Sequence, residues 1–239
     1  MFGVERVCGH SFFCQALGEQ PVVVDLGANV GTFADVMSKH FNARVWAVEA
    51  NPDVFHSIPG NEVIRKFNFA ASDTNGVQPF YLSENTEASS LRKGSNGLTR
   101  LIEVPTKRLD TFLIEALVPS IDLLKMDIEG AEIAVLRDCS EEVLRGIKQV
   151  TVEFHDFCGL VTKREVDDCI MRLRRLGFDH ISWSRTSHGH GDVLFVNRHK
   201  ASISAMQFVL AKTIGRWGMG AGRVLQRALR NVYRSLANG

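Results

Sequence analysis

Asp127 closes the apolar run "IDLLKMD", and Glu153 and His155 close "KQVTVEFH". All three carry side chains that can move a proton or ligate a metal. In an open parallel sheet the ligand sits beyond the carboxyl ends of the strands, where these residues fall. Glu153 and His155 are two residues apart on one strand and so point to the same face. A carboxylate or imidazole placed there can take the proton of an attacking hydroxyl. A bound divalent cation such as Mg2+ can instead lower that hydroxyl's pKa. Asp127, Glu153 and His155 are therefore the candidate catalytic residues and also the candidate metal ligands. The structural alternatives are a helix N-cap for Asp127 and a buried acid–histidine pair for the other two. Glu129 and Glu132 follow in "DIEGAE", where acids at a helix start also favour its dipole by about 0.3–1 kcal/mol. His188, His190 and Asp192 in "SHGHGD" are further candidates if that loop emerges on the same side.

A second constellation lies upstream in "VVVDLGANVGTFADV". Three β-branched residues run into Asp25, a turn follows, and then a helix. Gly27 and Gly31 flank Asn29, which tolerates positive φ nearly as well as glycine. Such a turn presents free N–H groups at a helix start. It does not meet the dinucleotide fingerprint G-x-G-x-x-G, which counts against NAD. Glu49 ends the next apolar run about 20 residues on, where an acid can accept ribose hydroxyls. Asp25 either braces the loop or approaches a cationic group. Asp73, in "SDTNG", is either a ligand residue or a turn former.

The elements that must place these residues alternate in type. Pro21 to Gly27, Ala43 to Ala50, Glu62 to Ser72, Ile121 to Asp127 and Lys148 to His155 read as strands. Thr32 to Phe41 reads as a helix, and Asn51 caps another that has Pro52 at its first position. "IEVPTKRLDTFL" reads as an edge-type strand interrupted by Pro105, and "EGAEIAVLRDC" as a helix directly after Asp127. "KREVDDCIMRLRRLGF" is an amphipathic helix capped by Gly177. "DHISWS" and "DVLFVN" are joined too briefly for a parallel crossover and are antiparallel. The expected fold is α/β: a doubly wound, mostly parallel sheet.

The chain of 239 residues has a net charge of +1, which gives no bulk affinity for nucleic acid. From Arg198 onward there are eight Lys or Arg and no Asp or Glu, leaving 20 basic and 27 acidic residues before it. Arg223, Arg227, Arg230 and Arg234 share one helical stripe, opposite Leu225, Leu229, Val232 and Leu236. This basic amphipathic helix either packs on the body or a second subunit, or lies on an anionic membrane surface. The five cysteines form no C-x-x-C pair and read as reduced thiols. With no evident signal peptide or membrane span, the expected location is cytoplasmic, with peripheral contact at the inner face of a membrane as the variant reading. The expected organisation is an N-terminal extension (1–20), a main domain (21–198) and the basic tail (199–239).

"VVVDLGANVGTFA", "VEANP", "FAASD", "ENTEASSL", "LLKMDIEGAE" and "VEFH" stand in the order and spacing of the FkbM-type methyltransferases, and the resemblance covers about Val22 to Phe178. Glu87 in "NTEASSL" departs from it, where the family often has Gly. The resemblance implies a class I, Rossmann-like fold of seven strands, the last antiparallel, and S-adenosylmethionine as methyl donor. It implies transfer to a hydroxyl of a sugar, glycan or secondary metabolite. Carried over, Gly27, Asn29 and Gly31 border the methionine part, Glu49 the ribose and Asn51 the adenosine, with Asp25 a further candidate for the donor site. Ala71, Ser72 and Asp73 border the adenine. N-methylation with the same donor and a non-catalytic donor-binding accessory protein are the rival readings. The acceptor is a small molecule or glycan that the sequence does not name.

Overall fold

The computed structural model describes residues 3–83, 89–91, 98–156, 159–182 and 192–213. Glu87, Cys158, His188, His190 and the basic stripe from Arg223 lie outside the described residues, as do Arg92 and Lys93, which with Arg100 could meet an anionic acceptor.

The chain opens with a hairpin, β1 (Val4–Val7) and β2 (His10–Phe13). Cys8 and Gly9 connect them at φ 46 and 88, as a two-residue hairpin turn requires. Next come β3 (Val22–Leu26), α1 (Thr32–Phe41), β4 (Arg44–Glu49), α2 (Pro52–Phe55) and β5 (Ile64–Asn68). β6 (Ala70–Ala71), β7 (Gly76–Ser83), β8 (Leu98–Lys107) and α3 (Leu109–Glu115) follow. The second half carries β9 (Leu123–Met126), α4 (Glu132–Asp138), α5 (Glu141–Gly146) and β10 (Gln149–Glu153). It closes with α6 (Lys163–Arg175), β11 (Phe178–Ser182) and β12 (Asp192–Asn197).

Seven strands form one sheet in the order β11-β12-β10-β9-β3-β4-β5. β3, β4, β5, β9 and β10 run parallel, and β12 is antiparallel to both β10 and β11. The expected α/β sheet with an antiparallel last strand is therefore present. Its central strands are near-continuous Val and Leu runs because both faces are covered; all five residues of β3 are buried. One core, including Val24, Leu124, Val150, Leu173 and Phe195, fills one side of the sheet. A second, with Phe12, Val23, Phe33, Met37 and Leu123, fills the other. α6 begins with a capping box between Thr162 and Glu165 and ends at Gly177, φ 97.

Three readings from sequence are corrected. The third strand does not run unbroken from Glu62 to Ser72. It leaves the main sheet after Asn68, Phe69 turns inward into the core, and Ala70–Ala71 joins a second sheet of order β6-β8-β7. β8 is not an edge strand broken at Pro105. It is the middle strand of that second sheet, Pro105 lies in register opposite Val77, and the helix α3 takes over at Leu109. The helix after Asp127 starts only at Glu132, so Asp127 is not its N-cap.

The hairpin is sewn to the sheet. Gln149, fully buried in β10, accepts from Phe13 N at 2.7 Å and donates to Phe13 O at 3.1 Å. Ser11 N donates to Asp192 Oδ2 at 2.6 Å. Phe12 and Phe13 enter different cores. Gln149→Ala strands both main-chain groups of Phe13 in an apolar surrounding. It should cost about 1–3 kcal/mol per orphaned group, read as a lowered midpoint in urea denaturation; an unchanged midpoint contradicts this docking.

Candidate active site

The carboxyl ends of β3, β4, β9 and β10 open into one cavity of about 700 Å3. Gly27, Asn29, Glu49, Ala71, Asp127, Glu153 and His155 all line it. Sequence reasoning did not find Lys125, Phe33, Phe69 and Phe80, which also line it.

The floor is the glycine turn. Gly27, Asn29 and Gly31 have φ of 78, 48 and 84. A Cβ on Gly27 would lie 1.8 Å from Asp127 O, and one on Gly31 would lie 2.7 Å from Pro59 Cδ. Glycine is thus forced by close approach as well as by φ. Gly27 N and Ala28 N donate to Val48 O at 3.0 and 2.9 Å. Glu49 binds the turn from the other side: Oε2 accepts from Asn29 N at 2.8 Å and Oε1 from Asn51 N at 2.7 Å. Each oxygen keeps further acceptor capacity toward the cavity. Burial raises the Glu49 carboxyl above its usual value, against the pull of these two amides. Asn29 Oδ1 is buried at the wall with no hydrogen-bond partner among the described residues.

Beneath the turn, Asp25 is fully buried and pairs with Lys125 Nζ at 3.0 Å. Lys125 also donates to Gly27 O at 2.5 Å. Burial works against its charge, but Asp25 and Asp127 outweigh it and raise the Lys125 pKa. Asp25 therefore braces the loop and is not on the cavity wall. Gly31, Asn51, Ser72 and Asp73 are also off the wall. Asn51 caps α2 through Asp53 N, at 3.0 Å. Ser72 Oγ donates to Asp73 Oδ1 at 3.2 Å, and Asp73 faces Arg137 at 3.9 Å.

The same cavity is lined by an acid–imidazole cluster. His155 Nδ1 lies 2.8 Å from Glu132 Oε1, and its Nε2 lies 3.2 Å from Glu129 Oε1 and 3.6 Å from Asp127 Oδ1. Glu132 is fully buried, and its carboxylate also accepts from Ile128 N and Gly130 N. Burial disfavours the imidazolium, but the bonds to Glu129 and Glu132 push its pKa up to about 11. Burial also opposes ionisation of Asp127, yet His10, Lys125 and His155 hold it well below the usual carboxylate range. Glu129, held at φ 52 on the wall, is raised by burial. His10 comes from the hairpin, with Nε2 at 3.6 Å from Asp127 Oδ2. No motif marks it in the sequence; the one sign is the apolar "HSFF" that follows the turn. Arg100 is paired with Asp53 at 2.9 Å and does not line the cavity.

Sheet order, glycine turn and strand-end cavity together define a Rossmann-like α/β fold with a nucleotide-type site. Residues 25–179 match the methyltransferase FkbM domain, so the chain belongs to the FkbM methyltransferase family, as its motifs suggested. It is similar to the hexuronic acid methyltransferase AglP of Haloferax volcanii, 26% identical over 171 residues, covering 66% of this chain and 68% of AglP. It is also similar to the 2-O-methyltransferase NoeI of Sinorhizobium fredii, 30% identical over 156 residues, covering 57% of this chain and 64% of NoeI.

Two outcomes follow from the buried charges. Lys125→Met leaves Asp25 buried without a counter-ion and should cost about 3–5 kcal/mol, measured by chemical denaturation; a change within about 0.5 kcal/mol contradicts the bracing role. The His155 pKa is raised from 6.5 to about 11, so the folded state holds a proton the unfolded chain releases. Its contribution is full below pH 6.5 and declines as pH rises toward about 11. Nitrogen NMR should show the imidazole doubly protonated at pH 8, and a neutral ring there contradicts the ion-pair geometry.

Proposed function

We propose that this protein is an S-adenosylmethionine-dependent O-methyltransferase acting on a hydroxyl of a sugar, glycan or secondary metabolite. One observation carries the reading. A nucleoside-type cradle of Gly27, Asn29 and Glu49 and an ionised strand-end acid, Asp127, line one cavity. The family membership and the names of AglP and NoeI support the methyl transfer and the hydroxyl acceptor.

The residues fit the donor. Gly27 lets the turn pack against the Asp127 main chain at the cavity wall, Asn29 Oδ1 is an acceptor in want of a donor, and Glu49 can receive ribose hydroxyls while it holds the loops. Phe69, Ala71 and Phe80 supply an apolar wall for an adenine ring. When bound, the donor supplies a sulfonium methyl, whose carbon–sulfur electron pair returns to sulfur as the acceptor oxygen bonds to carbon.

The protein's task is then alignment and removal of the hydroxyl proton. Asp127 stays ionised and accepts a hydrogen bond from the acceptor hydroxyl, fixing the oxygen lone pair toward the donor side. His155, charged and clamped by Glu132 and Glu129, keeps Asp127 in place. Glu153 and Glu129 complete an anionic wall that receives the departing proton. This wall favours O-methylation over N-methylation, because it stabilises a hydroxyl being deprotonated rather than an amine that must attack uncharged. It also argues against a binding-only role, which needs no such cluster.

Asp127→Asn should lower kcat by about 100-fold or more in transfer of labelled methyl to a hexuronate-containing acceptor. Calorimetric affinity for S-adenosylhomocysteine should stay within about threefold, or about 0.7 kcal/mol. Full activity in this variant, or no binding of S-adenosylhomocysteine to the native protein, overturns the reading.

A further inference from the structure

We propose that the cavity binds a divalent transition-metal ion through His10, Asp127 and Glu153, with the N-terminal hairpin supplying the imidazole ligand. The ion site stands on its own geometry; its role toward an acceptor oxygen rests on the function proposed above.

His10 is 1% exposed, and its Nε2 makes no hydrogen bond among the described residues. Its other nitrogen faces Thr151 Oγ1 at 3.4 Å. The Thr151 hydroxyl donates its own proton to Asp192 Oδ2 at 3.3 Å, so Oγ1 is left to accept from His10 Nδ1–H. In the neutral ring, the form that ligates a metal, this places the proton on Nδ1 and a lone pair on Nε2. This lone pair is aimed at a second electron-rich atom, Asp127 Oδ2, 3.6 Å away. Two such atoms repel unless a cation lies between them. A proton would draw the pair to about 2.7–2.9 Å, as it does at His155 Nδ1 and Glu132, 2.8 Å apart. Donors bound about 2.1 Å from a shared ion stand about 3.0–4.2 Å apart, and 3.6 Å falls within that range. Glu153 provides a third donor, and one ligand atom from each of the three residues lies within 4.8 Å of the others.

The surrounding shell is built for such a site. Metal-bound imidazoles usually hand their second nitrogen to a fixed acceptor, and the Asp192–Thr151–His10 chain does so. Asp192 is itself fixed by Ser11 N at 2.6 Å and by Arg6 at 3.5 Å. His155, the histidine expected from sequence to ligate, instead meets a carboxylate at each ring nitrogen. It therefore stands beside the ion, and His10 takes its place. One imidazole with two carboxylates suits Mn2+, Fe2+ or Zn2+ better than Mg2+. Three protein ligands leave positions open for water or an acceptor oxygen, whose pKa the ion would lower.

The test is Mn2+ titration of the chelator-stripped, full-length protein, followed by electron paramagnetic resonance. One ion should bind per chain, and pulsed spectra should show coupling to a histidine nitrogen. In His10→Gln the affinity should fall at least tenfold and the nitrogen coupling should vanish; in Glu153→Gln the affinity should fall at least tenfold with the coupling retained. S-adenosylhomocysteine affinity, measured on the same samples, reports whether each variant is folded. If His10→Gln fails that check, the native spectrum and Glu153→Gln decide. No bound Mn2+, no nitrogen coupling in the native protein, or undiminished binding in a folded variant overturns the site. Mn2+ binding without any binding of S-adenosylhomocysteine would sustain the ion site and overturn the proposed function instead.

Discussion

The site rests on a lysine where a hydrophobic strand residue would be expected. Lys125 sits in the centre of the sheet, between Asp25 of the neighbouring strand and the carbonyl of Gly27. A lone ammonium at that depth would be expelled or neutralised. Here Asp25, Asp127 and Glu49 all favour the charge, and it stays. The cation therefore ties three strand ends together: β3 through Asp25 and Gly27, β9 through its own backbone, and β4 through the field on Glu49. The glycine turn is left no freedom, because its backbone is already within a Cβ's reach of Asp127 O.

Charge then alternates across the cavity floor. Glu49 brackets the turn by its two amide contacts, Lys125 lies below, and Asp127 follows with His10 and His155 on either side. Each acid is set apart from the others by a cation or an amide donor. That spacing lets several carboxylates share one small volume while holding different affinities for protons. Glu49 and Glu129 are raised by burial, whereas Asp127 is depressed by Lys125 and the two histidines beside it. Such separation of pKa values among neighbours is how a single site assigns acid and base roles.

Much of this was legible in the sequence, because the central strands are buried on both faces and leave Val and Leu runs that end in polar residues. Asp127, Glu153 and His155 reach one cavity because strand ends converge in a parallel sheet, which their positions in "KMD" and "VEFH" already implied. The positive φ of Asn29 followed from its residue type. Readings failed where long-range packing decides. Asp25 reads equally as a loop brace or a ligand residue until its partner one hundred residues later is known. Phe69 turns into the core and breaks a run that reads as one strand. His10 could not be foreseen, since only the tertiary pairing of Phe13 with Gln149 brings the hairpin to the sheet.

The central claim is that the turn bracketed by Glu49 is the donor-nucleoside site and that the cluster around Asp127 faces the reacting atom. A crystal structure with S-adenosylhomocysteine tests it most directly. Ribose hydroxyls should lie within hydrogen-bond distance of the Glu49 carboxylate, the adenine against Phe69 and Ala71, and the sulfur on the Asp127 side of the cavity. A nucleoside bound away from Glu49, or one whose sulfur faces away from Asp127, would contradict it.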